Sequence, residues 1–356
     1  MSTVHDAGRG GMDRRTALTL MARAGAAVAL NAGVLSKARA QTAPAVTYAT
    51  DIRVELKLLA PNVYAYVQRE APGQSNLSIS NCGIVAGADY LLAIDTTSAP
   101  IQAKRFIASG QQATGKRFKR VVITHHHGDH IGGIQYFEGA DVIAHEQCRI
   151  MMAKQVGQPK PASWAKSEHW ADGTEEYKLT LPNQTYSDKL SYSDYGDTPV
   201  ELFFPGRSHT TGDTLVHLPR QKILFLGDIG FFGVTPLNGS GYVSGWIQVC
   251  DMILAMDVQT IVPGHGPVGG KAELADMRDY LILIQREARK RFDSGMTAGR
   301  AAADIDLGKY KTWTDPERIA NNVARLYSEF NGTITPDLDR DAVTKARDEY
   351  YALKSR

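Results

Sequence analysis

The chain has 356 residues, and 43% of them are apolar, which is enough to bury one large hydrophobic core or two modest ones. Its 40 basic and 38 acidic residues nearly balance, so the composition does not support a nucleic-acid-binding protein, which needs a basic surface. The three cysteines, Cys82, Cys148 and Cys250, are widely spaced and odd in number, which favours buried free thiols and leaves one disulfide open.

Residues 1–40 have the features of an export signal. Arg14 and Arg15 precede an apolar run rich in Ala and Gly, and the run ends in a small-x-small cleavage site at Ala40. The paired arginines resemble a twin-arginine (Tat) signal, which exports proteins that have already folded. We therefore predict cleavage after Ala40 and a periplasmic protein with no membrane association after cleavage.

The alternative interpretation of this segment is a retained signal anchor. Arg23 and Asn31 interrupt the apolar run, which disfavours a stable membrane span. Cleavage would remove six of the 40 basic and two of the 38 acidic residues, which leaves 34 basic and 36 acidic residues. The mature chain would then be slightly acidic, which again gives no support to a nucleic-acid partner.

After the leader, short runs of β-forming residues alternate with turn residues. The sequence predicts strands at 52–58, 63–67, 77–85, 90–94, 120–124 and 142–144, and helices at 100–112, 131–137 and 146–155.

The most informative stretch follows the strand at 120–124. It contains His125, His127, Asp129 and His130, and two glycines come directly after Ile131. Side chains alternate along a strand, so both His125 and His127 project to the same side as the strand ends. Nitrogen and oxygen ligands that converge at the end of a strand are what one or two zinc ions require. Adventitious metal binding by a His-rich loop is the alternative, and the carboxylate at this offset argues against it.

The second half of the chain repeats the pattern of strands followed by a helix. Strands are predicted at 185–191, 200–204, 215–218, 222–226 and 260–262, and a helix at 246–256. Strands followed by helices, twice, predict two sheets packed face to face with helices outside, an α/β fold of the αβ/βα sandwich type.

A stretch of weak periodicity, residues 156–181, separates the two halves and holds Trp164, His169 and Trp170. Irregular segments of this length are often lids or binding loops, so we predict that it faces the substrate.

Beyond residue 270 the chain is predicted to be helical. An amphipathic helix over 272–292 and a second helix over 316–330 form a C-terminal extension, residues 271–356, packed on a catalytic domain at 45–270. The sequence leaves open whether the charged tail from 337 is mobile, and whether it forms oligomers.

The stretch at 125–130 resembles the His-x-His-x-Asp-His signature of the metallo-β-lactamase superfamily. Three later segments, which carry His209, Asp228 and His265, resemble the segments that complete the site of that family, and they follow in the same order. The resemblance spans residues 45–291. It implies a metallo-β-lactamase-like sandwich in which Asp95 supports the site by hydrogen bonding without binding metal.

The resemblance also implies a cofactor of two zinc ions per chain. The implied ligands are His125, His127 and His209 for the first ion, Asp129, His130 and His265 for the second, and Asp228 between the two. Two such ions share a hydroxide nucleophile, because zinc lowers the pKa of bound water to about 7. Asp129 and Asp228 are the implied catalytic residues, and Asp129 would orient the hydroxide.

Aromatic residues are the candidates for the wall of an apolar substrate pocket, with core or lid packing as the alternative for each. They are Phe231, Phe232, Trp164, Trp170 and Tyr242. His126 is predicted to point away from the metals, and His145 and His217 are predicted to be structural.

The implied activity is hydrolysis of an ester, thioester, lactone or amide carbonyl in a small molecule. The commonest dizinc β-lactamases have cysteine where this chain has Asp228. Hydroxyacylglutathione hydrolases, lactonases and quinoprotein-associated zinc hydrolases have aspartate there. A periplasmic β-lactamase-like amide hydrolase therefore ranks second. An iron-dependent persulfide dioxygenase and a non-catalytic accessory protein are further alternatives, and the complete ligand set disfavours both.

Overall fold

The computed structural model describes residues 53–69, 80–158 and 177–355. The predicted leader and three of the residues singled out above, Trp164, His169 and Trp170, lie outside these ranges. No helix within the described ranges combines the length and the apolar character that crossing a bilayer requires.

The first of two sheets contains seven strands in chain order. They are β1 (Arg53–Ala60), β2 (Val63–Arg69), β3 (Cys82–Ala86), β4 (Tyr90–Ile94), β5 (Arg117–Ile123), β6 (Asp141–His145) and β7 (Gln184–Tyr186). Pairing is antiparallel from β1 to β4 and parallel from β4 to β7. Parallel neighbours need crossover connections. The connections contain α1 (Pro100–Thr114), α2 (Gly128–Ile131) and α3 (Glu146–Ala153).

The second sheet has five strands in the order β12-β11-β10-β9-β8. They are β8 (Lys189–Tyr192), β9 (Val200–Phe203), β10 (Leu215–Leu218), β11 (Ile223–Phe231) and β12 (Thr260–His265). Only β11 and β12 pair in parallel, and α4 (Val243–Ala255) connects them.

One predicted strand is wrong. The run at 185–191 divides at Ser187 and Asp188, where the chain leaves the first sheet and enters the second. The side chain of His145 contacts the carbonyl oxygen of Ser187 at 2.9 Å. The amide of Phe204 donates to the carbonyl oxygen of Asp188 at 3.0 Å. Each half contains β-forming residues, and the turn residues Ser187 and Asp188 mark the break between them. Nothing in the sequence pattern shows that the two halves belong to different sheets.

Alternating side chains along the strands build three hydrophobic layers. Val122 of β5 and Phe225 of β11 face the core between the two sheets. Val121 faces the core under α1 and α3, whereas Leu224 faces the core on the opposite side of the molecule. Each such side chain contributes about 1.5–3 kcal/mol when it is fully buried. The predicted αβ/βα sandwich is confirmed.

The C-terminal helices share their core with the second sheet. They are α5 (Lys271–Asp293), α6 (Ala298–Asp304), α7 (Ile319–Phe330) and α8 (Arg340–Lys354). Leu274, Met277 and Ile284 of α5 pack in the same cluster as Leu224. The predicted helix at 272–292 is confirmed, and the charged tail is the helix α8, which packs on α6 and α7.

The three cysteines are buried and unpaired, as the sequence predicts.

Candidate metal centre

The carboxyl ends of three strands meet at one edge of the sandwich. β5 leads directly into His125, β11 carries Asp228, and β12 ends at His265. The loop between β9 and β10 brings in His209. All four side chains are buried. The fold therefore gathers residues from distant parts of the sequence at one point.

The first ligand group consists of His125, His127, His209 and Asp228, whose ligand atoms lie within 4.8 Å of one another. The Nε2 atoms of His125 and His209 lie 3.6 Å and 3.4 Å from Oδ2 of Asp228. His127 faces the same group through Nδ1, 2.9 Å from Nε2 of His209. Burial lowers the pKa of His127 and of His209 to about 3, and it lowers the pKa of His125 as well. These imidazoles are therefore neutral at neutral pH, which is the form that binds metal.

The second ligand group consists of Asp129, His130, His265 and the other carboxylate oxygen of Asp228. The Nε2 atoms of His130 and His265 lie 3.0 Å and 3.3 Å from Oδ1 of Asp228. Burial lowers the pKa of both histidines, but the carboxylates of Asp228 and Asp129 outweigh this effect. As a result, the pKa of His265 is raised to about 9 and that of His130 well above its usual value.

Asp95 orients His130. Its Oδ2 lies 2.7 Å from Nδ1 of His130 and accepts a hydrogen bond from Oγ1 of Thr124, also at 2.7 Å. Its Oδ1 accepts from the Thr124 amide at 2.8 Å. This arrangement leaves Nε2 of His130 directed at Asp228, and carboxylates commonly hold a ligand histidine in this way. The predicted supporting role of Asp95 is confirmed.

Asp213 supports the loop that carries His209, and the sequence analysis missed it. Its Oδ2 accepts from the amide of Thr210 at 2.8 Å and from Oγ of Ser208 at 2.7 Å. Burial raises the pKa of Asp213 to about 6 in spite of these bonds. The signal was available, because an aspartate a few residues after Ser and Thr can bond their backbone and hydroxyl groups.

Asn81 holds the loop around His265 and was also missed. Its Nδ2 donates to the carbonyl oxygen of Pro263 at 3.0 Å and to that of Gly266 at 2.8 Å. Nothing near Asn81 in the sequence indicates this role, because its partners lie more than 180 positions away.

The donor set fits zinc. Nε2 of His125 is buried and has no hydrogen-bond partner among the described residues. Buried polar atoms without partners are costly, so such atoms call for a ligand. Imidazole nitrogens and carboxylate oxygens are ordinary zinc ligands. Within the two groups, only Asp228 faces both, with Oδ2 on the first and Oδ1 on the second.

A cleft of about 400 Å³ opens over the two ligand groups. His127, Asp129, Asp228 and His265 line it. The ring of Phe231 stacks on His265, with centroids 4.9 Å apart and an interplanar angle of 12°. The ligand groups are therefore open to a small molecule on one side and packed against an aromatic side chain on the other.

The remaining substrate-pocket candidates lie in different places. Phe231 lines the cleft, whereas Phe232 lines a separate cavity of about 740 Å³. Tyr242 is not among the described residues that line the cleft. Its ring lies between two guanidinium groups, 5.6 Å from that of Arg207 and 5.5 Å from that of Arg325.

Comparisons with known proteins agree with this geometry. The family model described as the metallo-β-lactamase superfamily matches residues 76–265. The chain belongs to the metallo-β-lactamase superfamily. A type 2 metallo-β-lactamase from Bacillus sp. (strain 170) is 27% identical over 208 residues, which are 57% of this chain and 72% of that protein. The subunit alpha of 2,4-dinitroanisole O-demethylase from Nocardioides sp. (strain JS1661) is 27% identical over 189 residues, 51% of each chain.

Solved structures show the same fold. A metallo-β-lactamase from Pontibacter korlensis superposes with a TM-score of 0.51 at 20% identity, covering 65% of this chain and 99% of its own. A metallo-β-lactamase from Pseudomonas aeruginosa, described in a mono-zinc form, superposes with a TM-score of 0.51 at 22% identity. The match covers 65% of this chain and 96% of that protein. The family match and the type 2 metallo-β-lactamase relatives support a hydrolase of the superfamily, and the solved structures show its fold, to which this chain adds C-terminal helices.

Several cleft residues of this superfamily member have no signal in the sequence pattern. Lys154 follows α3, and Arg318, Leu338 and Arg340 come from the C-terminal extension. His126 belongs to neither ligand group and also lines the cleft.

Two other histidines are structural, as predicted. His145 stacks on Phe204 with centroids 4.3 Å apart, and His217 pairs with Glu201.

Proposed function

We propose that this protein is a dinuclear zinc hydrolase that cleaves an ester, thioester, lactone or amide carbonyl in a small molecule. The observation that carries the proposal is the position of Asp228. Its two oxygens face two separate histidine groups, at 3.4 Å from His209 and 3.0 Å from His130. A carboxylate in this position can give one oxygen to each of two ions.

Zinc ions held by these residues would supply a hydroxide at neutral pH and polarise the carbonyl oxygen of the substrate. Asp129 is the group that can orient the attacking water. Its carboxylate lines the cleft, is 14% exposed, and lies 3.1 Å from Nε2 of His265. His130 is fixed through Asp95, and the ring of Phe231 stacks on His265.

The carboxylate at 228 also ranks the substrates. A carboxylate holds two ions through two hard oxygens, whereas a thiolate offers one soft sulfur to a single ion. A closely held pair suits carbonyls with good leaving groups, such as thioesters and lactones. The nitrogen of a β-lactam is a poorer leaving group.

A second candidate function is the hydrolysis of β-lactams. It is favoured by relatives named type 2 metallo-β-lactamase, which are 27% and 25% identical to this chain.

A substrate panel tests the ranking. The purified protein is loaded with zinc and assayed with lactones, thioesters, cephalosporins and carbapenems. We expect kcat/KM for the best lactone or thioester to exceed that for any β-lactam by at least about a hundredfold, roughly 2.7 kcal/mol. Asp228→Cys should narrow this gap, mainly by damaging the favoured reaction.

Two outcomes of the panel would overturn the ranking. Faster turnover of a β-lactam than of every ester would establish the second candidate. A single iron per chain, with oxygen uptake on a persulfide, would replace hydrolysis by the dioxygenase alternative.

Export to the periplasm is part of the same proposal and is supported by the twin-arginine pattern at Arg14 and Arg15. Replacing both with Lys should leave an uncleaved precursor in the cytoplasm, measured by N-terminal sequencing of the fractionated protein. A mature N-terminus at Gln41 in that variant would point to another export route.

A further inference from the structure

Four polar side chains on one face of the α7 region hold the loop that follows β11. They are Arg318, Asn322, Arg325 and Glu329, at intervals of four, three and four residues, which is the spacing of one helix face. Their partners are backbone groups within residues 235–244.

The first half of this loop is held by two of the four. Nη1 of Arg318 donates to the carbonyl oxygen of Thr235 at 2.9 Å. Nδ2 of Asn322 donates to the carbonyl oxygen of Pro236, and Oδ1 of Asn322 accepts from the amide of Asn238, both at 2.9 Å. Buried backbone groups of a loop need such partners, and here a distant helix supplies them.

The second half of the loop is held by the other two. Nε of Arg325 donates to the carbonyl oxygen of Gly241 at 2.8 Å. Glu329 accepts from the amides of Val243 and Ser244, the first two residues of α4, at 3.0 Å and 3.2 Å. Backbone amides at a helix start lack partners inside the helix, so a carboxylate there stabilises the start of α4.

Arg325 also reaches a second segment. Its Nη2 donates to the carbonyl oxygen of Thr335 at 2.5 Å, and its Nη1 to that of Asp337 at 3.3 Å. The side chain is only 3% exposed. One buried guanidinium thus joins the loop after β11 to the segment that leads into α8.

Both joined segments line the cleft. The loop contributes Leu237, Gly239 and Ser240, and Leu338 and Arg340 line the cleft where the second segment enters α8. The two parts touch, because a Cβ placed on Gly239 would lie 3.5 Å from Cδ1 of Leu338. We call residues 237–240 and 337–340 together the cleft wall.

A second link of the cleft wall is weaker. Nζ of Lys154 pairs with Oδ2 of Asp337 at 2.9 Å, and the two side chains are 50% and 59% exposed. Solvent screens an ion pair of this kind. The buried bonds of Arg325 therefore dominate the position of the wall.

We propose that Arg325 positions the cleft wall, and that the wall selects substrates with an extended apolar acyl group. The proposal rests on the hydrolase function proposed above. Leu338 is the specificity-determining residue, because its side chain is apolar, lines the cleft and is 37% exposed. A small substrate that reaches only the metal ligands does not need the wall.

The variant Arg325→Lys tests the proposal, because Lys keeps the charge but loses the planar fork that bonds three carbonyl oxygens. Hydrogen exchange is measured over residues 235–244 and 335–340. Kinetics are measured with two lactones, one unsubstituted and one with an eight-carbon acyl chain. We expect exchange in the wall to accelerate at least about tenfold. We also expect KM for the long-chain lactone to rise about tenfold, with kcat within about threefold, and the small lactone to be unaffected. Zinc content should not change.

Two further variants make the result specific. Arg278→Lys changes a partly exposed arginine that pairs with Asp251 and Asp279, and it should leave exchange and kinetics unaffected. Leu338→Ala shortens an exposed side chain, so it should fold normally and raise KM for the long-chain lactone alone. If Arg325→Lys does not fold, the KM of Leu338→Ala for the long-chain lactone decides whether the wall selects substrates.

Three outcomes would overturn the proposal, the first its positioning role and the other two the selection of substrates by the wall. They are unchanged exchange in Arg325→Lys, faster exchange with equal effects on both lactones, and an unchanged KM for the long-chain lactone in Leu338→Ala. If the parent protein hydrolyses no member of the panel, the proposed function is wrong, and exchange still shows whether Arg325 holds the wall.

Discussion

The two ligand groups of the candidate metal centre share Asp228 but differ in the protonation of their histidines. In the first group, burial lowers the pKa of His127 and of His209 to about 3, so these imidazoles are neutral. In the second group, the carboxylates of Asp228 and Asp129 raise the pKa of His265 to about 9. Burial is similar in both groups, so the difference comes from the number of carboxylates beside each histidine.

The protonation of its histidines determines how readily each group binds zinc. A neutral imidazole binds zinc directly, whereas a protonated one must first release its proton. The first group is therefore prepared for zinc over the whole neutral range. The second group holds protons that zinc must displace, so we expect the two ions to load in sequence.

The largest expected effect comes from removing the shared ligand. Asp228→Asn replaces one of the two carboxylate oxygens by an NH₂ group, which cannot bind zinc. We expect fewer than two zinc ions per chain and a loss of turnover of at least about a thousandfold, roughly 4 kcal/mol. Zinc is measured by elemental analysis after dialysis. His217→Ala, in a histidine of β10 that pairs with Glu201 and belongs to neither ligand group, is the control and should keep the zinc content and turnover of the parent. Two zinc ions with full turnover in Asp228→Asn would contradict the bridging role.

The pH dependence of zinc binding distinguishes the two groups. The folded pKa of His265 is about 9 and that of His130 is raised well above its ordinary value, so both histidines hold protons that compete with zinc at neutral pH. The affinity for the second ion should rise about tenfold per pH unit for each proton displaced, which is at least about a hundredfold between pH 6 and pH 8. The affinity for the first ion should change little there, because its histidines titrate near pH 3. Calorimetric titration in buffers of different ionisation enthalpy measures the protons released. Equal proton release for both ions would refute the distinction.

The supporting carboxylates give a smaller and separable effect. Asp95 holds His130 of the second group, and Asp213 holds the loop of His209 in the first. We expect Asp95→Asn to lower the affinity for the second ion by about tenfold to a hundredfold and to leave the affinity for the first unchanged. We expect Asp213→Asn to weaken the binding of the first ion and to spare that of the second. Competition with a chromophoric chelator measures both affinities, and an effect of Asp95→Asn on the first ion alone would show that the assignment is reversed.

Local patterns predicted much of the fold and the way the site is assembled. The alternation of side chains around Val122 and Phe225 predicts the two faces of each sheet. The amphipathic spacing of apolar residues predicts α5. The motif that contains His125 is recognisable from the spacing of its residues alone. Its resemblance to a family predicted His209 and His265 as further ligands. Asp95 followed from the same resemblance.

Features that depend on distant partners were not predictable from these patterns. The change of sheet at Ser187 depends on which strand each half meets, and both halves are β-forming. Arg325 looks like one more polar residue of a surface helix until its partners at Gly241 and Thr335 are known. The same holds for Asn81. Pairings across the fold have no local period, so a single sequence does not contain the signal.

The most direct test of the dinuclear centre is a crystal structure of the zinc-loaded protein with anomalous data at the zinc edge. The expected result is two peaks about 3.5–4 Å apart. One oxygen of Asp228 should lie about 2.0–2.2 Å from each ion. The first ion should also contact His125, His127 and His209. A single peak, or two ions with Asp228 bound to only one of them, would contradict the account.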